Sequence, residues 1–133
     1  LHGMHSRGFP NCFIISNAQS GFTVNFPHAM NEQAMHIAYI MSHCLESNVQ
    51  TVEASAEAEE NWVAEIINHS RFNQSYQESC TPGYYNNEGK PNPLTIRNGS
   101  YGSGPVKFFE KLTAWREEGT MDGLEFNGPP RSG

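Results

Sequence analysis

Histidine and cysteine are the side chains of this sequence best suited to metal binding or nucleophilic chemistry, and their spacing argues against both. There are six histidines and three cysteines among 133 residues. His2 and His5 stand three apart, and His36 and His43 share one side of a helical segment. An i, i+7 pair is separated by about 10 Å along a helix axis, too far to share one small ion without further ligands. Histidines on the surface or between domains are therefore the expectation, and no metal is expected. Cys12, Cys44 and Cys80 form no C-x-x-C pair, which gives no support to zinc-ribbon or dithiol redox chemistry. Cys12 lies in an apolar run and Cys44 on an apolar helix stripe, where a thiol behaves as a small hydrophobe. Cys80, before Thr81-Pro82-Gly83, reads as structural or incidental. No Ser-His-Asp, Cys-His or paired-carboxylate set can be argued from spacing.

Two small-residue segments remain. Gly99-Ser100-Tyr101-Gly102-Ser103-Gly104 precedes a helix, but Leu94-Thr95-Ile96 is a poor strand before it and no Gly-Lys-Ser/Thr follows, so it reads as a turn and a helix start. The loop from Ser16 to Asn25 is the stronger candidate. It follows the apolar run Asn11-Cys12-Phe13-Ile14-Ile15 and leads into a long helix, placing free helix N–H groups beyond a strand end. Such a corner can hold an anionic or electron-rich ligand. Composition does not say which ligand.

The elements that must position this loop follow from periodicity. Residues 11–15, bounded by Pro10 and Ser16-Asn17, read as a strand covered on both faces. That demands neighbouring strands which this sequence scarcely supplies. A helix is predicted from Pro27 to Leu45, with Met30, Ala34, Ile37, Ala38, Met41, Cys44 and Leu45 in a stripe about 120° wide. Val49–Glu53 alternates as a short strand. Ser55 is the predicted N-cap of a second helix that presents Trp62, Val63, Ile66 and Ile67, fraying near Ser70 or reaching Gln77. Residues 1–8 read as an irregular lead-in and 78–104 as a long irregular loop. A third helix is predicted from Ser103-Gly104-Pro105, with Val106, Phe108, Phe109, Leu112 and Trp115 on its apolar side and Gly119 past its end. Leu124-Glu125-Phe126 returns as a last strand. The expected fold class is α/β, or an α+β-like fragment: three helices, short strands and a long loop. One domain over 1–126 is expected, with a flexible tail over 127–133.

Charge and composition narrow the partners. Lys and Arg number 8 against 14 Asp and Glu, for a net charge of -6. No basic cluster suggests nucleic acid, and the acidic groups at Glu57, Glu59, Glu60, Glu65, Glu117, Glu118 and Asp122 read as solvated helix faces. Thiol usage suits a reducing, cytoplasmic compartment. No apolar run is long enough to span a membrane, and the sequons at Asn68, Asn73 and Asn98 read as chance matches. Leu1 at the start and Gly128-Pro129-Pro130 near the end make both termini read as cut.

In order and wording the chain resembles the C-terminal part of FAD-dependent Baeyer–Villiger monooxygenases over roughly residues 7–126. The carriers are Arg7-Gly8-Phe9-Pro10-Asn11-Cys12-Phe13-Ile14, Glu32-Gln33, Glu60-Asn61-Trp62-Val63, Tyr101-Gly102-Ser103-Gly104-Pro105 and Gly123-Leu124-Glu125-Phe126. The resemblance implies the last part of a Rossmann-type flavoprotein that uses FAD and NADPH to insert one oxygen atom of O2 into a ketone. It implies that Asn17, Gln19, Ser20, Gly21, Phe22, Thr23 and Val24 border the flavin or substrate, backbone N–H groups favouring negative charge on the reduced ring. Cys80 stands where many members carry a Trp that helps clasp the nicotinamide cofactor. The glycine-rich fingerprints, the central His-containing signature and the catalytic Arg of the family are not in this sequence. The implied partners are missing N-terminal FAD- and NADP-binding domains and, in the whole enzyme, a ketone. This piece alone is expected to be inactive and to bind neither cofactor. The other reading is a freestanding non-catalytic module for binding or for self-association through exposed apolar faces.

Overall fold

The computed structural model describes residues 1–70 and 93–128. Among these described residues, four helices and two strands follow in the order α1 (Phe26–Glu46), β1 (Thr51–Ala54), α2 (Ala56–Asn68), α3 (Pro93–Arg97), α4 (Pro105–Glu118) and β2 (Leu124–Asn127). Local chemistry sets the boundaries. Asn25 Oδ1 accepts the His28 N–H at 3.3 Å and Pro27 stands in the first turn of α1. Ser55 caps α2 as expected, its Oγ accepting the Ala58 N–H at 3.1 Å, with Glu57 and Glu59 at the positive helix end. Gly119 closes α4 at φ 69, a left-handed position that glycine adopts without the Cβ penalty.

β1 and β2 pair antiparallel, from Thr51 opposite Asn127 to Ala54 opposite Leu124. The register sets Glu53 directly against Glu125, and like charges so placed repel. Arg7 relieves this. Its Nη1 donates to Glu125 at 2.6 Å and to the Ala54 carbonyl at 3.1 Å, while the Gly8 N–H donates to Glu53 at 2.8 Å.

The core lies where α1, α2 and α4 converge on the first five residues. Leu1, Met4, Ile37, Ala54, Trp62, Ile66, Tyr101, Phe108 and Leu112 form one cluster. The lead-in is thus irregular as expected, yet it supplies core. Asn11–Ile15 is not a strand: Cys12, Ile14 and Ile15 are exposed, and the backbone is tied only at intervals, Asn11 N–H to the Val52 carbonyl and Ile14 N–H to Met4. Among the described residues only Asn11 meets a strand, at Val52 of β1, and no ladder continues along the segment, so the expected two-sided burial is not seen.

The face of α1 also differs from expectation. Ala29, Gln33, His36, Ile37 and Ile40 are buried, whereas Met30, Met41 and Leu45 are exposed. At 100° per residue the buried face is turned by about 90° from the predicted stripe. α1 packs on α4, with the Tyr39 hydroxyl donating to the Arg116 carbonyl at 3.0 Å. Within the expected loop, Pro93–Arg97 is a short helix packed against α2. Ile67 and Val106 face solvent rather than core. The predicted extension of α2 to Gln77, and Cys80 with the segment to Pro91, lie outside the described residues.

Candidate functional site

The segment Ser16–Asn25 is fastened on three sides. From α1, the Gln33 carboxamide reaches Ser16: its Oε1 accepts the Ser16 N–H at 3.2 Å and its Nε2 donates to the Ser16 carbonyl at 3.1 Å. From the 97–101 segment, the Gly99 carbonyl accepts the Gln19 N–H at 2.8 Å and the Arg97 carbonyl accepts Gln19 Nε2 at 2.9 Å. The Tyr101 N–H donates to the Ser20 carbonyl at 2.9 Å. From α4, Phe108 and Pro105 press on Gly21, where an added Cβ would meet Phe108 Cδ1 at 2.9 Å. Glycine at position 21 is therefore required by close approach.

The seven expected site residues divide into an inner and an outer set. Ser20 and Gly21 are buried. Asn17, Gln19 and Thr23 are half-buried, Gln19 at φ 55. Phe22 and Val24 are exposed, Val24 fully so at 102%. The N–H groups of Phe22, Thr23 and Val24 find no acceptor among the described residues. Asn17 Oδ1 is buried without a hydrogen-bond partner, an unusual state for a buried acceptor. A cavity of about 330 Å³ lined by Phe22, Thr95, Tyr101 and Gly104 opens beside the loop. The loop turns backbone donors and the apolar side chains of Phe22 and Val24 outward, while Asn17 Oδ1 stays buried beneath. Gln33 and Ser16 were absent from the expected set, because the predicted apolar stripe of α1 left Gln33 outside the buried face.

The histidines form the second concentration of polar atoms. His2, His5 and His36 are buried within this chain, where a place on the surface or between domains was expected of the histidines. The lead-in folds inward and lays His2 edge-on to His36 at 5.2 Å, Trp62 at 5.1 Å and Trp115 at 5.7 Å between ring centroids. Burial drives His36 down to about 3, aided by the Arg116 guanidinium and by His5. Burial likewise brings His5 down to about 4, with the N-terminal ammonium contributing. His2 lies well below its ordinary range, through burial first and then His36. These rings are neutral at pH 7 and pack as aromatics. Among the described residues no group of three or more His, Cys, Asp or Glu could hold a metal ion, and no helix is long and apolar enough to cross a membrane.

Comparison with known proteins gives a consistent result. No family model matches the chain. It is 48% identical over 125 residues to neopentalenolactone D synthase of Streptomyces avermitilis, covering 94% of this chain and 21% of that protein. It is 36% identical over 126 residues to Baeyer–Villiger monooxygenase 4 of a Dietzia species, covering 95% and 20%. Among solved structures it superposes on the polycyclic ketone monooxygenase of Thermothelomyces thermophila with a TM-score of 0.78 and 30% identity, over 96% of this chain and 21% of that one. The chain spans about one fifth of the length of the relatives it matches.

Proposed function

Because this chain is a segment of the Baeyer–Villiger and FAD-binding monooxygenase family, we propose that it forms the flavin- and substrate-side wall of a monooxygenase acting on a ketone with FAD and NADPH. Missing N-terminal dinucleotide-binding domains would hold both cofactors. When bound, they supply the oxygen and electron chemistry. What this chain contributes is shape and polarity. Phe22, Thr23 and Val24 would offer backbone N–H donors toward negative charge, and Asn17 Oδ1 would accept from a ring N–H or a hydroxyl. Gln19, Ser20 and Gly21 would hold that surface from behind and exclude water.

The observation carrying this reading is the asymmetry of Ser16–Asn25: its inner side is satisfied by Gln33, Gly99 and Tyr101, while its outer donors and apolar side chains have no cover. The exposed Met30, Met41 and Leu45 on α1, with Ile14 and Ile15, would be the contact surface for the missing domains. The isolated 133-residue chain would then bind no flavin and oxidise nothing. The test is to express the enzyme-length polypeptide that carries this segment. Bound flavin absorbance and ketone-stimulated NADPH consumption are expected. A polypeptide that never carries flavin would overturn the reading and favour a freestanding binding module.

A further inference from the structure

We infer that Gln33 is the positioning residue of the flavin-facing loop, setting the direction in which Asn17–Thr23 leave the apolar run; this rests on the reading above. Gln33 is 1% exposed, on the same face of α1 as Ala29, His36, Ile37 and Ile40. A buried carboxamide costs free energy unless both its ends are paired. A Leu or Met would fill that face without such a demand. Here both ends are paired, and to a single residue.

Oε1 takes the Ser16 N–H at 3.2 Å and Nε2 gives to the Ser16 carbonyl at 3.1 Å. Exchanging both backbone bonds with one residue is what an antiparallel strand neighbour does. Gln33 thus acts as a one-residue strand partner where the described chain provides none. The carboxamide suits this because it carries a donor and an acceptor side by side at the end of one side chain. Ser20 Oγ joins the same knot, donating to the Ser16 carbonyl at 2.5 Å and lying 3.5 Å from Gln33 Nε2. Ser16 Oγ passes the constraint forward by accepting the Ala18 N–H at 3.2 Å. Asn17, with its waiting Oδ1, stands between these two fixed points. At the far end Asn25 caps the same helix. Both ends of the loop are therefore tied to α1, so the loop can shift only with that helix or by breaking the knot.

The experiment uses the enzyme-length protein and two variants of matched side-chain length. Gln33→Met removes both bonds. Gln33→Glu keeps the acceptor and, because burial favours its protonated form, regains the donor. Hydrogen exchange of the apoprotein is followed at residues 16–19, where the Ser16, Ala18 and Gln19 amides are bonded, with α2 and α4 as internal references, and FAD affinity is measured by flavin fluorescence. Loss of two hydrogen bonds should speed exchange in the loop by about tenfold in Gln33→Met while the references hold, with Gln33→Glu recovering most of the protection. FAD affinity should fall in parallel by about tenfold. Unchanged loop exchange in Gln33→Met, or an equal rise throughout the domain, overturns the positioning role. Loosened loop amides with undiminished FAD affinity leave the knot in place and overturn the flavin-facing reading instead. Should Gln33→Met not fold, Gln33→Glu carries the test through the pH dependence of loop exchange. Protection lost as the carboxyl ionises supports the role, and protection indifferent to pH refutes it.

Discussion

Two regions of this chain handle buried polarity in opposite ways. Around His2, His36, Trp62 and Trp115, several ring nitrogens have no partner: His2 Nδ1, His36 Nε2 and Trp62 Nε1 are all buried and unpaired. The region is held by ring packing, with the Arg116 guanidinium against His36 Nδ1 at 3.5 Å. Around Ser16–Gly21, by contrast, the inner peptide groups are matched by Gln33, Arg97, Gly99 and Tyr101. The first region behaves as core that tolerates polar rings only while they stay neutral. The second behaves as a rigid mount whose inner peptide groups are bonded, with one buried side-chain acceptor, Asn17 Oδ1, left without a partner among the described residues. Stability should therefore concentrate in the first region, and ligand contact in the second.

The largest expected effect tests the first half of that contrast. Phe108 is fully buried and touches Trp62, Tyr101 and Phe109 by ring contacts. It also backs Gly21, so it joins the two regions. Phe108→Ala should cost about 3–5 kcal/mol in denaturant unfolding, and a loss near zero would mean the ring cluster is not the core.

Acid should come next. His2, His5 and His36 all have native values below the unfolded one of about 6.5. Between about pH 6.5 and their lowered native values the unfolded chain holds more protons, so stability falls as pH falls, by about 1.4 kcal/mol per pH unit for each such ring. Above about 6.5 this contribution is flat. Urea midpoints from pH 8 to 4 would check it. His36→Phe should flatten part of the slope, and an unchanged slope in that variant would contradict neutral burial.

Gly21→Ala sharpens the contrast at its seam. The new methyl would lie 2.9 Å from Phe108 Cδ1 and 3.1 Å from the Pro105 Cα, an overpacking expected to cost about 1–3 kcal/mol in thermal or chemical unfolding. The smallest stability change belongs to the outermost position. Val24→Ser should leave stability within about 0.5 kcal/mol while weakening flavin retention in the enzyme-length protein. A variant that unfolds but keeps its flavin would reverse the division of labour.

Local signals in the sequence carried much of the architecture. Helix α1 starts and ends within one residue of its predicted span because Asn25, Pro27 and Ser47 act through neighbouring backbone alone. The Ser55 cap and the Gly119 terminus were legible for the same reason. Orientation was not. Met30, Met41 and Leu45 form the more apolar stripe of α1, yet the chain buries the side bearing Gln33 and His36, because that side meets α4 and the Ser16 knot. Hydrophobic periodicity alone does not say which side of a helix the rest of the chain will cover. The inward fold of Leu1–His5 was hidden likewise, since His2 reads as polar until Trp62 and Trp115 surround it. The loop was picked out by its place between an apolar run and a helix start, its expected ligand came from the resemblance, and its knot from the structure alone.

A structure of the enzyme-length protein with FAD bound bears most directly on the central claim. The account predicts a Phe22, Thr23 or Val24 N–H, or Asn17, within hydrogen-bonding reach of the isoalloxazine ring, at about 3 Å, with the Gln33–Ser16 bonds intact. A flavin seated against another part of the protein, with Asn17–Val24 still facing solvent, would contradict it.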